Sequence, residues 1–306
     1  MRTTCELQKL LSDYKTADCH VHTHLCDGNP DMTVENIARA ADERNIGLVI
    51  LTPHFHKKVS DLSDTLFTDT DESIFFSLRE EIDSYERNDG KIKFLLSAEA
   101  DIISADGELS LTPSAAIEKT LDLLSPTLNY HPLLPLYFVR LTYGKYVNAL
   151  HESGEYLNTA EKIGGIDAVL ETAYKTQINA IENCPFPMML GHFFMSQSAH
   201  PDTRNCFGAE EKHFDLMKRL TRAIILTCKR KNAFLDLTGV HLHESESAET
   251  CKERNGFLSD FHRFTVGECL QNGVTFGYGS DAHSLKRIGA SHKYYDLILH
   301  SAKNFN

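Results

Sequence analysis

Seven short apolar runs recur along this chain, and most of them end in a side chain able to bind a cation. They are TADCHVH, LVILTPH, KFLLSAEAD, LDLLSPTLNYH, MMLGHF, AFLDLTGV and VTFGYGSDAH, each of strand length and strand character. Helical patterns fill the intervals. Thr33 reads as an N-cap before Val34, Ile37, Ala38 and Ala41, Thr112 and Pro113 read as the start of a helix with Ile117 and Leu121, and a longer pattern carries Ile163, Ile166, Leu170, Ala173, Gln177 and Ile181 up to Pro185. Alternating strand and helix predict an α/β architecture with a parallel sheet or barrel. In such folds the C-terminal strand ends form the functional face. His54, Glu99, His131, His192, Asp281 and His283 stand at or just past those ends.

The densest stretch is DCHVHTHLCDG, residues 18–28. His20 and His22 are two apart, so an extended strand sends both imidazoles to one face. Asp281 and His283 repeat that spacing at the last run, and Glu99 can bridge two cations with its two oxygens. These donors exceed the four that satisfy one tetrahedral zinc, which predicts a cluster of two or three ions of the kind that clamps a phosphoryl group.

Composition narrows the partners. The 306 residues carry 43 acidic against 31 basic side chains, a formal charge of −12. That balance disfavours an extended nucleic-acid grip, whose affinity comes from Lys and Arg on phosphates, and is easier to reconcile with small substrates or short ends of longer ones. No run approaches a membrane span or a secretory signal, so a cytoplasmic protein is expected. The 8 cysteines form no C-x-x-C pair and are expected to be free thiols. No linker interrupts the chain, and residues 1–306 read as one domain with 132–160 as a lid or an extra helix. The sequence GYGSDA, 277–282, satisfies a dinucleotide-binding pattern, but it stands at the last strand instead of the first, and Asp281 would meet the pyrophosphate with negative charge.

In order, DCHVHTHLCDG, LVILTPH, LLSAEAD, NYH, MLGHF and YGSDAHS span nearly the whole chain. With these landmarks the sequence resembles the PHP (polymerase and histidinol phosphatase) superfamily of metal-dependent phosphoesterases, and within it the histidinol-phosphatase type. The resemblance implies a distorted seven-stranded (β/α)7 TIM-like barrel with a trinuclear site of Zn, Mn or Fe. It implies His20, His22, Asp27, His54, Glu99, His131, His192, Asp281 and His283 as ligands, with Glu99, Asp281 and His283 at the reacting centre. The implied activity is hydrolysis of a phosphate monoester by metal-bound hydroxide. His24 and His56 fall outside the implied ligand set.

The chain departs from that type at its phosphate contacts. After Gly191 and His192 come Phe193 and Phe194 where an Asp is usual, Arg204 lies far along, and His241 stands about where an arginine is expected after the sixth strand. His241, Arg204, Arg287 and Arg140, with Lys145, are the candidates for holding phosphate. Phe193, Phe194, Tyr137, Phe138, Tyr143 and Tyr146 predict an apolar wall suited to an aromatic or nucleobase-bearing leaving group. A nucleotide-directed phosphoesterase and a non-catalytic module of the same fold are the competing readings, as is an amidohydrolase barrel, which also begins with H-x-H. The last usually bridges its metals with a modified lysine, and here Glu99 stands in that place.

Overall fold

A computed structural model of the chain describes residues 1–14, 16–26, 28–55, 70–111, 113–128, 160–194, 209–238 and 247–303. Helix α1 (Thr4–Asp13) opens it, closed at its N-terminus by a capping box between Thr3 and Glu6. Strand β1 (Ala17–Val21) follows, then α2 (Val34–Glu43), whose Thr33 side chain accepts from the Asn36 N–H as its sequence suggests. The run LVILTPH forms two strands, β2 (Leu48–Leu51) and β3 (His54–Phe55), divided at Thr52 and Pro53. After α3 (Ser73–Arg87), KFLLSAEAD divides likewise at Ser97 and Ala98 into β4 (Lys93–Leu96) and β5 (Glu99–Asp101). Proline explains the first interruption, because it lacks the N–H that a ladder needs. The result is that His54 and Glu99 sit on separate short strands that can turn toward each other.

Helix α4 (Ala115–Thr120) begins later than the sequence suggests: Ser114 caps it, and Leu121 is already extended. Then come β6 (Ser125–Thr127), α5 (Gly165–Asn183), β7 (Met189–Leu190), α6 (Phe214–Lys231), β8 (Phe234–Asp236), α7 (Ala248–Asn255), α8 (Phe257–Asn272), β9 (Phe276–Gly277) and α9 (His292–Lys303). Ile163, read as part of the long helix, precedes it, because the chain enters α5 through Gly164 and Gly165 at positive φ.

Among the described residues all strand pairs are parallel, in three three-stranded sheets ordered β1-β2-β4, β3-β5-β6 and β7-β8-β9. A parallel bridge joins Leu124 to Met188 between the second and third sheets, and another joins Val21 to Ala282 between the first and third. The Cys19 N–H donates to the Tyr278 carbonyl at 2.8 Å in the same seam. The α/β expectation with parallel strands is therefore met, while the strands form short sheets in place of one continuous ladder.

Alternation along these strands separates two apolar clusters. Val49, Leu51, Phe94, Leu96, Leu190 and Leu235 pack outward with the helices. Cys19, Leu48, Ile50, Leu95, Leu123, Met189 and Phe234 gather instead around Leu7 of α1. Strands buried on both faces need both sets. Helix α1 lies at the N-terminal strand ends: Tyr14 abuts Gly47, the Arg2 N–H donates to the Asp122 carbonyl, and the Arg2 guanidinium bonds the Asp122 carboxylate at 2.7 Å. The opposite ends are left for polar groups. Among the described residues no helix is long and apolar enough to cross a membrane.

Candidate metal centre

Glu99 is the hub. It opens β5, is fully buried, and faces four imidazoles from three other segments. Its Oε2 lies 3.1 Å from His20 Nε2, 3.5 Å from His22 Nε2 and 3.3 Å from His54 Nδ1, and its Oε1 lies 2.7 Å from His192 Nε2. Burial works against charge on Glu99, yet the neighbouring histidines, His54 and His192 foremost, hold its carboxyl well below the usual range.

Asp281 supplies the second carboxylate. Its Oδ1 lies 2.9 Å from His22 Nε2 and 3.9 Å from both His20 Nε2 and His283 Nδ1. Burial again opposes its charge, and the His22 hydrogen bond with the charges of His283 and His22 outweighs it, keeping the carboxyl well below the ordinary value. The rings of His22 and His283 stack with centroids 4.0 Å apart, and those of His22 and His54 lie 4.6 Å apart. His20 is pressed toward neutrality by burial, but its bonds to Asp236 and Glu99 raise its pKa to about 10.

Local backbone is bent to make this meeting possible. His192 and Asp281 adopt positive φ, +25° and +50°, where a non-glycine residue is strained by about 1–3 kcal/mol. Gly279 explains the second glycine of GYGSDA: a Cβ there would lie 2.4 Å from the His20 Cβ and 2.2 Å from the Thr238 hydroxyl. The glycine therefore serves close approach of the last strand end to β1, and the Asp281 N–H donates to the His20 carbonyl at 2.9 Å. Asp18 braces the same turn from below, accepting from the Ser280 N–H, the Ser280 hydroxyl and the Gly289 N–H.

The donor set fits divalent cations. Three ring nitrogens crowd one carboxylate oxygen that has two lone pairs to offer, and a shared cation relieves that crowding. Two groups have ligand atoms all within 4.8 Å of one another: His20 with His22 and Glu99, and His22 with His54 and His283. Imidazole and carboxylate together suit zinc and its first-row neighbours.

Seven of the nine expected ligands thus meet in one place, His20, His22, His54, Glu99, His192, Asp281 and His283. Asp27 and His131 lie outside the described residues, as do Arg140, Lys145, Arg204, His241, His56 and most of the 132–160 segment. Arg287 is half-buried on the single 3-10 turn that follows His283. His24 is turned away from the cluster, with Glu81 at 3.3 Å and the Met32 carbonyl at 3.3 Å. The described cysteines are thiols outside any disulfide, and Cys26 Sγ accepts from the His54 N–H.

Two corrections follow. Phe193 and Phe194 are fully buried core residues: Phe193 meets Tyr174 of α5 edge to face, and Phe194 packs against Phe261 and His262 of α8. They point to the helices, so they supply no wall for a substrate. Asp236, at the end of β8, escaped notice in the sequence although it bonds His20 Nδ1 at 2.8 Å. Its signal was a lone carboxylate within the apolar run AFLDLTGV.

Comparison with solved structures finds the same fold in histidinol phosphatases. Histidinol phosphate phosphatase from Lactococcus lactis, crystallised with zinc, L-histidinol and phosphate, superposes with a TM-score of 0.57 at 12% identity, over 94% of each chain. A putative histidinol phosphatase from Listeria monocytogenes gives a TM-score of 0.60 at 16% identity, over 92% of this chain and 100% of its own. No family model and no curated protein matches the chain. The resemblance read from the landmarks is therefore matched at the level of the fold.

Proposed function

We propose that this chain is a metal-dependent phosphatase acting on a small phosphate monoester, with two or three divalent ions held by His20, His22, Asp27, His54, Glu99, His131, His192, Asp281 and His283. The observation that carries the reading is the convergence of four imidazoles on buried Glu99. The similarity to a fold crystallised elsewhere with zinc and phosphate supports it. Divalent ions held by these residues would supply the charge that neutralises phosphate oxygens and acidifies water.

The chain's own residues prepare that chemistry. Glu99 stays ionised although buried, because its histidine neighbours outweigh desolvation. Asp281 orients His22 from the other side. His283 is the most exposed of the described members, with 41% of its side chain open, so an entering ester meets it before them. Arg287, Arg204, Arg140 and His241 are the proposed phosphate contacts. A preference for aromatic leaving groups loses support once Phe193 and Phe194 are placed in the core, and the substrate class is left as a small monoester with histidinol phosphate among the candidates.

The same reading takes the three sheets as arcs of one distorted seven-stranded barrel in a single domain, residues 1–306. The seams between sheets support it, as does the inner cluster drawn from strand after strand. Free thiols suit a reducing, cytoplasmic compartment.

The test is phosphate release from L-histidinol phosphate and from p-nitrophenyl phosphate by protein loaded with zinc, manganese or iron. Turnover of at least one ester, lost with chelator and restored by the ion, is expected. Loaded protein that binds its ions and releases no phosphate from a panel of such esters would favour a non-catalytic module instead.

A further inference from the structure

Asp236 is a fully buried carboxylate that the scheme above does not use. Each of its oxygens takes two donors. Oδ2 accepts from His20 Nδ1 at 2.8 Å and from the backbone N–H of His192 at 3.0 Å. Oδ1 accepts from the Thr238 N–H at 3.0 Å and from the Thr238 hydroxyl. A carboxylate offers about four lone-pair positions, so this one is filled and its rotation fixed.

Glu99 holds the same two histidines from the front, through His20 Nε2 and His192 Nε2. The two rings lie 4.8 Å apart. One pair of histidines is thus held between two carboxylates, Glu99 at both rings and Asp236 at the His20 ring and the His192 backbone. The other group is fastened differently: His22 to the Asp281 carboxylate, His283 to the Asp281 carbonyl at 3.0 Å, and the His54 N–H to Cys26 Sγ at 3.2 Å.

We propose that Asp236 is the positioning residue for the His20 and His192 end of the metal centre, an inference that rests on the metal-dependent reading above. Its carboxylate accepts the Nδ1 proton of His20 and so would leave the Nε2 lone pair for an ion held beside Glu99, the usual way a second carboxylate fixes a metal-binding tautomer. It also fixes the strained backbone of His192, whose N–H would otherwise need another buried acceptor. One side chain thereby aligns two donors from different strands. Losing such a partner typically lowers metal affinity about 10- to 100-fold.

The experiment compares wild type with Asp236→Asn and Asp236→Ala by zinc titration against a chromophoric chelator. Folding is followed by circular dichroism, and histidine tautomers by nitrogen-15 NMR of the zinc-loaded protein. Wild type should bind its ions with His20 as the Nδ1–H tautomer. Each variant should lose about 10- to 100-fold in affinity at one ion, keep the affinity of the remaining ions, and lose the single His20 tautomer. Should the alanine variant fail to fold, the asparagine variant, which keeps the shape and removes one acceptor, gives the answer. Variants that hold every ion as wild type does would overturn the inference alone, as would equal loosening of all ions, which marks general structural damage. Wild type that binds no zinc, manganese or iron would overturn the metal-dependent reading and the inference with it.

Discussion

Glu99 and His24 both stand in histidine-rich, acidic surroundings, and their positions assign them opposite weights. Glu99 has four ring nitrogens within 3.5 Å and no exposure, so replacing it leaves the ligand cluster without its central anion. Glu99→Gln keeps the volume and removes the charge; it should abolish phosphate release and loosen at least two ions together. His24→Ala removes a side chain bonded to Glu81 and Met32 at the margin, and should change kcat/KM only a few-fold. Elemental analysis after gel filtration, with activity on the same preparations, checks both. Equal behaviour of the two variants would mean the ligand assignment is wrong at its centre. The residues of the site were legible because H-x-H and D-x-H spacings and donors at strand tips are local signals. Asp236 was not, since its partners His20 and His192 lie 216 and 44 residues away and only folding unites them.

At the scale of elements, existence was easier to read than extent. Apolar runs of strand length marked every strand, but LVILTPH and KFLLSAEAD each hide a break that only the three-dimensional path reveals. The start of α4 differs from expectation because Ser114 follows Thr112 and Pro113 as a further helix opener, and its side chain accepts from the Ile117 N–H. Phe193 and Phe194 depart from expectation for a related reason: two consecutive aromatic residues beside a site read as its wall, whereas the helices α5 and α8 cover them. Helix α1 gives this scale its prediction. Leu7 is 1% exposed and sits at the centre of the inner cluster, at the strand ends remote from Glu99. Leu7→Ala should cost about 2–5 kcal/mol by leaving a cavity. Urea unfolding of the ion-loaded protein measures it, with ion content expected to match wild type; a loss below about 0.5 kcal/mol, the scale of a surface substitution, would show that α1 is not part of the packed core.

For the whole molecule the deciding quantity is the linkage between ions and folding. The proposed ligands, drawn from β1, β3, β5 and the segments after β7 and β9, meet only in the folded chain, so ions should bind the native state far better than the unfolded one. An ion at 100 times its dissociation constant then adds about 2.7 kcal/mol. Two or three ions should together raise the melting temperature by several degrees or more, an effect that no single surface ion pair matches, since those are worth about 0–1 kcal/mol. The same coupling predicts that chelation lowers the melting temperature and abolishes activity in parallel, and that adding zinc, manganese or iron restores both. Protein purified without chelator should carry two to three ions per chain by elemental analysis. An active preparation with one ion or none would refute the cluster, because a single ion uses about four ligands and would leave the remaining buried histidines and carboxylates without a reason to converge.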